Sequence, residues 1–136
     1  MTERVGPGRL SVVAVPIGNA EDITLRALRV LREADVVAAE DTRTTSSLLA
    51  HHGQSARIVS YHDHSEAERL PGLIARIAAG EHVALVSEAG TPLVNDPGFR
   101  LVRACVEAGL QVDVLPGASA PLAALVGAGL PVDRFF

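Results

Sequence analysis

Five short apolar runs punctuate the chain: "LSVVAVP" (10–16), "DVVAAE" (35–40), "RIVSY" (57–61), "HVALVS" (82–87) and "QVDVLP" (111–116). Each is too short for an ordinary helix, and most are rich in Val, which predicts strands buried on both faces. Between them the apolar spacing changes. Ile23, Ala27, Val30, Leu31 and Ala34 fall on one helical face over 23–34, with Asp22 placed as the cap. A short helix is predicted over 44–52, stopped by Gly53. Ser65 and Glu68 have capping-box spacing, and Leu70, Leu73, Ile74 and Ile77 carry a helical face to Gly80. Pro71 removes a backbone donor and clashes one turn back, so the regular helix is expected to start near 71. Helices over 97–108 and 119–128 complete the set. Asp96 and Pro97 suit the cap and first position of the former.

Strands alternating with helices imply an α/β domain of three layers, a five-stranded and mainly parallel sheet between helices. Ligands of such sheets bind outside the carboxyl ends of the strands. The relevant loops are "VPIGN" (15–19), "AAEDTR" (38–43), "SYHDHSE" (60–66), "SEAGTPLVNDPG" (87–98) and "LPGASA" (115–120). The fourth is long for a connector that needs two to six residues.

Composition narrows the function classes. The chain has 136 residues, enough for one domain, and is 48% hydrophobic and 21% charged. Its net charge of −4 gives no global field that would draw in nucleic acid, so any RNA contact must be local. Cys105 is the single cysteine, which excludes an internal disulfide and a Cys-based zinc site; its apolar surroundings predict a small buried side chain. No apolar run approaches the roughly 20 residues of a membrane span, and residues 1–9 read as a flexible tail rather than a signal peptide. A soluble, cytoplasmic protein without membrane association is the expectation.

The loops carry the chemistry. "VPIGN" has only Gly18, so neither the dinucleotide fingerprint nor a phosphate loop is present. It is either a tight turn or a backbone contact to an uncharged or cationic ligand. "AEDTR" brings Glu40 and Asp41 out of a buried strand beside Thr42 and Arg43. The carboxylates need partners there; capping of the next helix, substrate binding and general-base work are all open. "HDHS" offers His62 and His64 around Asp63, but no third ligand can be placed beside them, and no metal is expected. His51, His52 and His82 read as surface residues. In "PGASA", Gly117 permits a backbone conformation other residues avoid, and Ser119 suits a helix cap. In the long loop Asp96 and Pro97 explain only the second half. Gly90, Thr91 and Pro92 build a separate shaped segment.

Taken together, "VPIGN", "AEDTR", "HDHSE" and "SEAGTPLVNDPG" give the chain its resemblance to the tetrapyrrole methylase superfamily, from about Leu10 to Phe136. Within it they look like the branch that uses S-adenosyl-L-methionine (AdoMet) to methylate a ribose 2′-hydroxyl of a cytidine in small-subunit (16S) ribosomal RNA. Two positions depart from the family pattern. Glu88 stands where an Asp is usual, and Ala118 replaces a second Pro. Family enzymes also carry a second domain of comparable size, with the cofactor in the cleft between the two. Residues 10–130 therefore look like the N-terminal domain alone, with 131–136 starting the linker to the other.

The resemblance implies a cofactor wall made of Pro16 and Gly18 in the first loop, Ala89, Gly90, Thr91 and Val94 in the fourth, and Ser119 and Ala120 in the fifth. Glu40, Asp41 and His62 become candidates for the base, and Arg43 and His64 for contacts to RNA. The implied partners are small-subunit ribosomal RNA or the 30S subunit, and a second copy of the full-length protein in a homodimer. Only 3% of the chain is aromatic, with Tyr61 in a strand-end loop and Phe99 just beyond one, so residues 1–136 alone are expected to bind RNA poorly and to be inactive. Two rivals share much of this pattern: an enzyme methylating carbon on a tetrapyrrole, and a non-catalytic α/β binding or assembly module.

Overall fold

The computed structural model describes residues 8–87, 89–91, 98–131 and 133–134. Strands and helices alternate along it: β1 (Arg9–Val13), α1 (Leu25–Glu33), β2 (Val36–Ala39), α2 (Thr42–His51), β3 (Ile58–Ser60), α3 (Glu66–Ala78), β4 (His82–Val86), α4 (Phe99–Glu107), β5 (Gln111–Leu115) and α5 (Ala120–Gly127). The strands form one sheet in the order β3-β2-β4-β1-β5, and each pairing among the described residues is parallel. The expected three-layer α/β architecture is the one observed.

Period two survives inside strands that are apolar throughout. Val36, Ala38, Leu10, Val12, Val83 and Leu85 share a core with Leu73 and Ile77 of α3 and Leu101 and Cys105 of α4. Val37, Ala39, Val13, Ala84 and Val86 pack on the other face, with Ala27, Val30 and Leu31 of α1 and Leu49 of α2. Burying each of the larger side chains contributes about 1.5–3 kcal/mol. Cys105 is fully buried, and burial pushes its thiol pKa up, as suits a packing residue. The two faces follow from topology. The chain moves one way across the sheet from β1 to β3 and back from β3 to β5, and right-handed crossovers then put α1 and α2 on one side and α3 and α4 on the other.

Element ends depart from the sequence expectation. α1 is capped by Thr24, not Asp22: the Thr24 hydroxyl accepts from the Ala27 amide at 2.9 Å, while the Asp22 amide is turned back to the Asn19 carbonyl. α2 begins at Thr42 because Asp41 caps it. α3 runs from Glu66 straight through Pro71, although an internal proline costs about 3 kcal/mol. Its first turn is pinned by Glu66, and Leu70 and Leu73 pack into the core on either side of the proline. Ser65 makes no capping bond to α3; its hydroxyl bonds within the loop, to the amide and carbonyl of His62. α4 starts at Phe99 with Gly98 as its N-cap; Asp96 and Pro97 lie outside the described residues. β1 starts at Arg9, inside the stretch read as tail.

His82 is not a surface residue. It is half-buried at the amino edge of the sheet, where its Nε2 lies 2.7 Å from Ser11 Oγ. Among the described residues, no helix is long and apolar enough to cross a membrane.

Candidate functional site

β4 hands the chain to α4 on one face, whereas its neighbours β1 and β2 hand it to α1 and α2 on the other. A crevice opens where neighbouring strands part in this way, and it is the usual ligand position of an open α/β sheet. Here the backbone reinforces it. Beyond the parallel ladder, Val15 and Gly90 exchange two hydrogen bonds, 2.9 Å from the Val15 amide and 3.0 Å from the Gly90 amide, as an isolated antiparallel bridge. Ser87 Oγ donates to the Ala89 carbonyl at 2.9 Å, and Thr91 Oγ1 donates to the Ala118 carbonyl at 3.1 Å. Hydrogen bonds thereby tie these loops together, main chain to main chain between those after β1 and β4, and through the Thr91 hydroxyl between those after β4 and β5.

A cavity of about 360 Å³ sits among them, lined by Ile17, Ala89, Gly90, Thr91, Ser119, Ala120 and Pro121. A neighbouring hollow of about 460 Å³ shares Ile17 and Ser119 and extends to Glu21–Thr24 and Ala123. These volumes suit small-molecule sites. The lining is made of small side chains and exposed main chain, with one apolar wall. Gly90 has φ +75°, and a Cβ there would stand 3.2 Å from Ile17 Cγ2. Gly117 is required for space rather than torsion: its φ is not in the left-handed region, but a Cβ would come within 2.6 Å of Ala14 Cβ. Ser119 caps α5 by accepting from the Leu122 amide.

The structure thus gathers Ala89, Gly90, Thr91, Ser119 and Ala120 around one cavity. Pro16 and Gly18 flank it without lining it, and Val94 and Glu88 lie outside the described residues. Ile17 was missed in the sequence; an apolar residue between Pro and Gly in a strand-end loop was the available signal.

The remaining candidates occupy the other half of the same sheet edge, beyond β2 and β3. Asp41 Oδ1 accepts from the Arg43 amide at 2.9 Å and the Thr44 amide at 3.2 Å. Those amides, Thr44 first, hold its carboxyl below the usual carboxylate value, which suits a cap better than a base working near neutrality. Glu40 continues from β2, its amide donating to the Val86 carbonyl at 3.4 Å. His62 Nδ1 accepts from the His64 amide at 3.2 Å, which places the proton of a neutral ring on Nε2. Arg43 and His64 are exposed. Tyr61 is fully buried and is no stacking platform for a base. Its hydroxyl donates to Glu66 Oε2 at 2.5 Å, and burial, followed by that carboxylate, pushes its pKa well up. Among the described residues, no group of three or more His, Cys, Asp or Glu is placed to hold a metal.

A doubly covered parallel sheet whose carboxyl edge carries a main-chain-built cavity has a counterpart among known families. The chain belongs to the tetrapyrrole (corrin/porphyrin) methylases, whose family model matches residues 9–136. It is 55% identical over 128 residues to ribosomal RNA small subunit methyltransferase I of Escherichia coli O157:H7, covering 94% of this chain and 45% of that one. It is 54% identical over 133 residues to the protein of the same name from Micromonospora olivasterospora, covering 98% and 42%. The chain therefore spans less than half the length of these curated relatives. The crystal structure of uroporphyrin-III C-methyl transferase from Thermus thermophilus complexed with S-adenyl homocysteine superposes with a TM-score of 0.64 at 28% identity, over 94% of this chain and 54% of that one.

Proposed function

We propose that residues 10–130 are the N-terminal domain of an AdoMet-dependent methyltransferase that modifies the ribose 2′-hydroxyl of a cytidine in small-subunit ribosomal RNA. Residues 131–136 begin the connection to a second domain. The observation that carries this reading is the cavity at the β1, β4 and β5 ends, joined to identities of 54–55% with relatives named ribosomal RNA small subunit methyltransferase I. When bound, AdoMet would supply a methyl group on a sulfonium for in-line displacement by the ribose oxygen.

What this chain contributes is alignment, which is worth most when reacting atoms are held about 3–3.5 Å apart. The bridge between Val15 and Gly90 fixes the cofactor wall. Gly90 and Gly117 allow close main-chain approach, Ile17 supplies an apolar side, and Thr91, Ser119 and Ala120 complete the wall. Among the described residues, the lining brings no lysine or arginine to the cavity, which fits a ligand centre that starts positive and becomes neutral. On the adjoining half of the edge, Glu40 and His62 are the groups we assign to accept the ribose proton, His62 at Nδ1 in exchange for the bond from the His64 amide. Asp41 shapes the loop, and Arg43 and His64 face RNA phosphates. Such a protein would work in the cytoplasm as a homodimer, on ribosomal RNA or the 30S subunit.

The test is calorimetry and methyl transfer with the full-length protein. AdoMet should bind, and unmodified 30S subunits should acquire one ribose methyl group located by mass spectrometry on a cytidine. Methylation of a uroporphyrinogen instead of RNA would move the protein to the branch represented by its Thermus structural neighbour. Absence of AdoMet binding would leave a non-catalytic module.

A further inference from the structure

α3 carries Pro71 and Gly72 side by side in its interior, two residue types that weaken a helix. Gly72 has no positive φ, and a Cβ added to it would meet nothing within 4 Å. Neither torsion nor packing therefore requires glycine there. What the missing side chain leaves is space. A hollow of about 300 Å³ opens over Gly72, lined by Val59, Glu68, Arg69, Gly72, Leu73 and Arg76. Arg69, Gly72 and Arg76 are three and four residues apart and so share one face of α3. Val59 of the edge strand β3 and Leu73 give the hollow an apolar floor. Arg69 is exposed and, among the described residues, joins no ion pair; its Nη2 donates to Ser60 Oγ at 3.4 Å. Ser60 ends β3, so this guanidinium reaches the same sheet edge as the loop carrying His62 and His64. Arg76 is held by Glu81 at 2.9 Å, and its five-donor fork keeps other N–H groups for a ligand. Glu68 stands exposed on the rim.

A guanidinium offers a fork to a phosphate and a flat face on which a base stacks. Arginine stacking matters on this flank because Tyr61 is buried. Glu68 repels a bare anion but accepts from an exocyclic base amine, so the lining fits a nucleotide better than inorganic phosphate. We propose that this hollow holds one nucleotide of ribosomal RNA outside the methylation target, its phosphate on Arg69 and its base over Gly72 between the two arginines. The proposal rests on the reading above that the protein acts on small-subunit ribosomal RNA. The bare surface of Gly72 lets the base lie against the helix, and Arg69 ties that stretch of RNA to the edge where Arg43 and His64 stand.

The experiment measures binding of 30S subunits to the full-length protein by filter retention, across about 50–200 mM salt. Gly72→Leu fills the hollow and puts a better helix former into α3, so its melting temperature should not fall. Its affinity for 30S subunits should fall roughly tenfold through the lost base contact, while AdoMet titration matches the wild type. Arg69→Gln should weaken 30S binding to a similar extent and make the log–log salt dependence shallower by about 0.7, the share of one single-strand phosphate. Unchanged 30S affinity in both variants overturns the assignment. Weaker binding by Arg69→Gln with an unchanged salt slope would give the hollow to a ribosomal protein and overturns it too. So does saturable binding of free cytidine monophosphate that Gly72→Leu abolishes while 30S binding stays intact, which would make the hollow a free-nucleotide site. A wild type that binds AdoMet but no 30S subunits removes the RNA reading itself.

Discussion

Single residues at the sheet edge are held by torsion and by caps, and both can be tested. Gly90 combines a left-handed φ of +75° with only 3.2 Å of room before Ile17 Cγ2. Gly90→Ala should cost about 1–2 kcal/mol of stability from torsion alone. AdoMet affinity of the full-length protein should fall further, because the methyl group displaces the cavity wall; calorimetry at a temperature where the variant is fully folded separates the two. Asp41 poses a different question, since it caps α2 and was also a base candidate. Asp41→Asn keeps a capping oxygen but no basic carboxylate. We expect near wild-type methyl transfer from Asp41→Asn and a lowered melting temperature from Asp41→Ala. Loss of kcat in the Asn variant at normal stability would return Asp41 to the chemistry.

At the scale of elements, the strands and helix faces were legible and the helix starts were not. A run such as Val36–Ala39 is buried on both sides whichever helices cover it, so composition alone identifies the strand. Leu70, Leu73 and Ile77 likewise fix the face of α3. A cap depends on backbone torsion and on what else competes for the donor. Hence Thr24 replaced Asp22, and α3 runs through Pro71 with Leu70 and Leu73 packed into the core on either side. The bond from the Gly98 amide to Glu66 has no local signature whatever. The family resemblance supplied the cavity residues Ala89, Gly90, Thr91, Ser119 and Ala120, whereas Ile17 meets them only through contacts distant in sequence. His82 was misread for the same reason: its partners Ser11 and Asp35 come from other parts of the chain.

The amino edge of β1 and β4 also carries a pH dependence. Burial, then the Arg9 guanidinium, lowers the His82 pKa below its ordinary 6.5, while Asp35, Asp113 and Glu33 pull the other way less strongly. A lowered folded-state value means the unfolded chain binds the proton first as pH falls. Stability from the neutral ring is fully present above pH 6.5 and declines below it, until the folded ring also protonates. Melting curves between about pH 7 and 5 should fall more steeply for the wild type than for His82→Gln. Parallel slopes would remove His82 from the acid response.

At the scale of the whole molecule, α5 stands uncovered among the described residues. α5 is apolar nearly throughout, yet none of its residues is buried, and Leu122 and Val126 are 53% and 74% exposed. A helix that is apolar all round is normally enclosed, and contiguous exposed apolar surface on a soluble chain marks a contact. α5 begins at the cavity, where Ala120 and Pro121 form part of the lining. The chain spans 45% and 42% of the length of the two curated relatives named above, and the second domain of the proposed reading is the occupant we assign to that side. We therefore expect residues 1–136 alone to bind AdoMet weakly or not detectably by calorimetry, and the full-length protein to bind it clearly. An apolar dye should bind the shorter chain more strongly. In the longer protein, Leu122→Glu with Val126→Glu should weaken AdoMet binding by opening the helix to water. Equal AdoMet affinity in the two lengths would mean that the half-cavity seen here is already the whole site.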